Sequence, residues 1–86
     1  MEIELKMPIE KIKDYKEFNS GKNIAIFRNE KGDGNLIVRD YKGCRIFQFL
    51  WFNKDKSLVV KECPLKIIEM TEKELREYIT DVITNI

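Results

Sequence analysis

The chain of 86 residues contains no histidine, so the commonest general base and the commonest metal ligand are both missing. Its Asp and Glu residues are spread without any pair singled out by position. Cys44 and Cys63 are too few for a disulfide framework, and two thiols alone do not make a zinc site; they read as small strand-associated hydrophobes. These residue types point away from catalysis and imply no metal and no cofactor. What the sequence does concentrate is aromatic rings among cations. Residues 21–66 carry ten Lys or Arg against five Asp or Glu, a net +5. Residues 67–86 carry two against five, a net −3. A basic sheet beside an acidic helix is how a small nucleic-acid binder often divides its charge. An unevenly charged but merely solvated surface gives the same count.

The elements that would position these groups follow from periodicity. Thr71 and Glu74 form a capping box, and Leu75, Tyr78, Ile79, Val82, Ile83 and Ile86 recur at helical spacing, which predicts an amphipathic helix over 71–84. Upstream, "NIAIFRNE" (23–30), "NLIVRDY" (35–41), "CRIFQFLWF" (44–52) and "SLVVKE" (57–62) read as strands. The turns between them are "KGDG" (31–34), whose glycines suit positive-φ positions, then "KG" (42–43) and "NKDK" (53–56). Connections this short predict an antiparallel meander. Residues 1–22 read as an N-terminal arm or short strand followed by about two turns of helix with Pro8 at its start. Residues 23–86 read as the domain proper. "GDG" leads into a strand rather than a helix, so it is not a phosphate loop.

The long strand 44–52 is apolar on both faces. Phe47, Phe49 and Trp51 share one face, which the helix is expected to cover. Ile46, Gln48, Leu50 and Phe52 share the other. That second face could stack bases, at about 1–3 kcal/mol for each ring, or it could be an interface with a second copy or another protein.

"VRDYKG" (38–43), the strand after it and "KIIEMTEKELREYI" (66–79) together resemble the Positive Cofactor Four family of transcriptional coactivators over roughly residues 24–84. The resemblance implies an α+β fold, a curved four-stranded antiparallel sheet followed by a C-terminal amphipathic helix. In it "LKIIEM" (65–70) is the last strand, and "SLVVKE" belongs to the third strand's end or a basic loop. It also implies a homodimer through the C-terminal helix and last strand. The implied function is non-catalytic binding of single-stranded or melted DNA, or RNA, with little sequence preference, beside transcription-machinery proteins. By position, Arg39, Tyr41, Lys42 and Lys66 stand where the family contacts nucleic acid, with Arg45, Phe52, Lys54, Lys56 and Lys61 as weaker candidates. Cys44, Leu50, Asn53 and Ile67 replace family residues, three of them at positions that are basic or aromatic in the family's groove. Those replacements favour the alternative, a protein-interaction module on the same scaffold that has lost nucleic-acid binding. No apolar run reaches the roughly 18 residues of a membrane span, and the acidic, interrupted N-terminus is unlike a signal peptide, so an intracellular protein is expected.

Overall fold

Five strands pair in chain order in a computed structural model that describes residues 1–86. They are β1 (Glu2–Leu5), β2 (Asn23–Asn29), β3 (Gly32–Tyr41), β4 (Cys44–Asn53) and β5 (Leu58–Cys63), and every pairing is antiparallel. Two 3-10 helices (Ile9–Glu17 and Leu65–Glu69) and helix α1 (Glu72–Thr84) complete the α+β fold. β1 and β5 are the edges of an open sheet.

The expected count of four strands is corrected at both ends. The arm at 2–5 alternates Glu and Ile/Leu, and it pairs with β2 from Glu2 opposite Arg28 to Leu5 opposite Ala25. At the other end, the strand assignment implied for 65–70 does not hold, because Leu65–Glu69 is a 3-10 helix after Pro64. The strand lies earlier, at Leu58–Cys63, fully registered with β4 from Leu58 opposite Phe52 to Cys63 opposite Phe47. Residue periodicity alone had indicated that strand. Its alternation satisfies the sheet, and the following proline, lacking an N–H, ends the ladder.

One face of the sheet carries the core. Phe47, Phe49 and Trp51 are buried with Ala25, Phe27, Leu36 and Val38 from β2 and β3. Leu75, Ile79 and Ile83 of α1 cover them, as the spacing predicted, with Ile67, Ile12 and Tyr15 from the 3-10 helices. Tyr15 meets Phe47 with ring centroids 4.6 Å apart, so the N-terminal segment belongs to the same core. The helix begins as expected: Thr71 Oγ1 accepts from the Glu74 N–H at 3.2 Å, and Glu74 accepts from the Thr71 N–H at 3.1 Å. That backbone bond, followed by the Thr71 side chain, holds the Glu74 carboxyl below its usual range. The cap's contribution is therefore complete above the ordinary carboxylate range and is lost as pH falls through the lowered value.

The glycines differ from expectation. "KGDG" is not a positive-φ turn: Gly32 and Gly34 lie inside β3, and the chain reverses at Glu30–Lys31. Gly34 stands opposite Phe27 and Trp51 on the core face. A Cβ there would sit 2.5 Å from the Phe27 ring, 2.7 Å from the Trp51 indole and 2.6 Å from the Leu50 carbonyl oxygen. Its missing side chain lets the two rings stack, with centroids 6.1 Å apart. The "KG" turn does behave as predicted, with Lys42 at φ 50° and Gly43 at φ 81°, the primed-turn geometry that matches strand twist. Gly34→Ala is expected to destabilise the domain by about 1–3 kcal/mol through overpacking, measured by urea unfolding. A neutral substitution would contradict the close ring approach.

Candidate functional site: the open face of the sheet

Choosing Phe47, Phe49 and Trp51 for the core commits the alternate side chains to the opposite face. No helix lies on that face, since all three helical segments send their buried residues into the one core. Register places its residues in rows. Glu2, Arg28, Asp33, Phe52 and Leu58 form one row, and Glu4, Ile26, Asn35, Leu50 and Val60 the next. Then come Asn23, Ile37, Gln48 and Glu62, followed by Arg39 with Ile46 and Tyr41 with Cys44.

The predicted site residues separate on this map. Arg39, Tyr41 and Lys42 come together at one corner. Tyr41 is 49% exposed, and the Lys42 ammonium sits 5.2 Å from its ring centroid. This is a cation–π arrangement on a ring that stays half exposed. Neither Arg39 nor Lys42 forms an ion pair. Phe52 is on the same face at the opposite end of β4, next to Lys54 and Lys56 in the β4–β5 turn. Six residues separate it from Ile46, about 20 Å along an extended strand.

The remaining candidates are elsewhere. Lys66 belongs to the second 3-10 helix in the helical layer, whose Ile67 enters the core. Its expected place opening the last strand fell with that strand. Arg45 points to the core side of β4 beside Phe47. Its Nε donates to Asp40 at 2.9 Å, and one of its terminal nitrogens is buried without a partner. Lys61 stands opposite Phe49, also on the core side, exposed at the β5 edge.

The electrostatics of the open face are mixed rather than basic. Arg28 donates to Asp33 at 2.5 Å, which raises its already high pKa. Lys6 is paired with Glu4 at 3.3 Å. A depression of about 570 Å³ on the β1–β4 side is lined by Glu2, Glu4 and Asp33 as well as Arg28 and Phe52. Unpaired positive charge therefore gathers at the two ends, around Tyr41 and around the β4–β5 turn. In that turn the Asp55 carboxylate is held below its usual range, first by the Ser57 hydroxyl and then by the Ser57 N–H.

The strand assignment for 58–63 exposes residues that the sequence reading did not select. Leu58 and Val60 are 51% and 49% exposed, directly opposite Phe52 and Leu50. The four make one contiguous apolar patch. Its signal was present in "SLVVKE", where Leu58, Val60 and Glu62 share one face and Val59, Lys61 and Cys63 the other.

No three His, Cys, Asp or Glu side chains converge on a point that could hold a metal ion. No helix is long and apolar enough to cross a membrane. Comparisons with protein-family models, curated proteins and solved structures find no match for this chain.

The two thiols differ sharply. Cys44 is exposed at the Tyr41 corner, while Cys63 is buried and its thiol is pushed far up by desolvation. Because the thiolate is the nucleophile, iodoacetamide at mildly alkaline pH should modify Cys44 alone in the native protein and both thiols after denaturation, read by intact mass. Two native adducts would contradict the burial of Cys63.

Proposed function

We propose that the protein is a non-catalytic binder of single-stranded nucleic acid, using the Arg39–Tyr41–Lys42 corner of the open sheet face. The observation that carries this reading is the half-exposed Tyr41 ring flanked by two cations that no carboxylate neutralises. A ring presented this way can stack on a base of any identity, and the neighbouring cations can meet the phosphates on either side. Such a site reads little sequence, because every base has a π-face. The resemblance of "VRDYKG" to the coactivator family points the same way. Lys66, Arg45 and Lys61 are not part of this proposal, since they belong to the other side of the sheet. Action on transcription-machinery proteins remains within the same reading as a consequence of the family resemblance.

A second reading, a protein-interaction module, is favoured by the apolar patch of Leu50, Phe52, Leu58 and Val60. The two readings use different parts of one face and are separable by experiment.

Fluorescence anisotropy with labelled oligo(dT) at about 50 and about 200 mM salt tests the first. Counterion release makes affinity fall steeply between the two conditions. Tyr41→Ala should weaken binding by about 1–3 kcal/mol with an unchanged fold, and Arg39→Ala should weaken it and flatten the salt slope. Lys66→Ala should leave affinity nearly unchanged. Absence of binding at micromolar protein in the lower salt, or a larger loss at Lys66 than at Arg39, would overturn the assignment.

A further inference from the structure

The apolar patch on β4 and β5 has a charge pattern that selects its partner. Phe52 faces Leu58 and Leu50 faces Val60 across the two strands. Three of these side chains are about half exposed, more apolar surface than a strand pair leaves open without a use. One residue pair beyond Phe52–Leu58 lies the β4–β5 turn with Lys54 and Lys56, neither of them ion-paired. Asp55 between them is occupied by Ser57. One residue pair beyond Leu50–Val60 lie Gln48 and Glu62. Glu62 is exposed and has no ion pair. The patch thus ends in free cations on one side and a free carboxylate on the other.

Such a surface is complementary to itself. A two-fold axis lying across β4 and β5, between the Phe52–Leu58 and Leu50–Val60 rows, inverts the strand direction of the second copy. Phe52 then meets the partner's Leu50, and Leu58 the partner's Val60. In the same operation Lys54 and Lys56 of each copy face the partner's Glu62. Isologous contacts of this kind are the usual way two identical chains associate, and two sheets stack face to face with their strands nearly aligned. α1 competes poorly for this role, because Leu75, Ile79 and Ile83 are already spent on the chain's own core. The geometry points to a homodimer formed by stacking the β4–β5 halves of two open faces. The Tyr41 corner lies beyond the Gln48–Glu62 end and stays outside the contact.

The test needs no nucleic acid, so its outcome is independent of the reading above. Sedimentation velocity of the full chain from about 1 to about 100 µM should show a concentration-dependent monomer–dimer equilibrium. Val60→Lys, at a half-exposed position, should leave the circular dichroism spectrum intact and weaken the dimer at least tenfold. Glu62→Lys alone should weaken it several-fold, because three cations then face one another at each end of the contact. The reversed set Lys54→Glu, Lys56→Glu and Glu62→Lys should recover most of that loss. A chain that stays monomeric throughout the range overturns the proposal. So does a dimer unmoved by Val60→Lys, or a charge reversal that recovers nothing, which would put the contact on another surface or partner.

Discussion

Phe47, Phe49 and Trp51 beneath α1 form the contact on which the arrangement of the whole molecule depends. They lie on alternate positions of one strand, so burying them fixes the register and orientation of β4. Each fully buried aromatic side chain contributes on the order of 1.5–3 kcal/mol from apolar area alone. The opposite orientation would bury Gln48 and leave the indole of Trp51 in water. Neighbouring strands accommodate the rings, most visibly at Gly34, whose absent side chain admits Phe27 and Trp51 together.

That choice creates the open surface by exclusion. Every helical segment is drawn to the aromatic face, so the other face of a five-stranded sheet has no covering layer. Local pairing neutralises Arg28 with Asp33 in the Phe52 row and Lys6 with Glu4 at the β1 edge. Its two ends carry the free cations. A net charge of only +1 therefore conceals a surface on which charge, ring and apolar patch occupy separate places.

Much of this was legible from local signals. The capping box and the three- and four-residue spacing located α1 to within one residue, because both are short-range physics. The tight "KG" turn was equally local, and Lys42 and Gly43 do take positive φ. "KGDG" was misleading because glycine serves two purposes: it relaxes turns, and it admits close approach in a strand. Only the long-range partners Phe27 and Trp51 distinguish them. The strand at 58–63 was visible as alternation, yet the resemblance placed the last strand at 65–70 and thereby put Lys66 at that strand's start, in one site with Arg39. Pro64 separates the two in fact, ending β5 and turning Lys66 into the helical layer. The pairing of β1 with β2 spans the 17 intervening residues 6–22, and nothing in four alternating residues names the partner.

The central claim is that the open face binds and the helical layer supports. Backbone amide chemical shifts followed by NMR during titration with oligo(dT) test it most directly, because every residue reports at once. The expected perturbations centre on Arg39, Tyr41, Lys42 and their cross-strand neighbours Cys44 and Ile46, with Lys66 and α1 quiet. Perturbations centred on Lys66, Lys73 and Arg76 instead would contradict it.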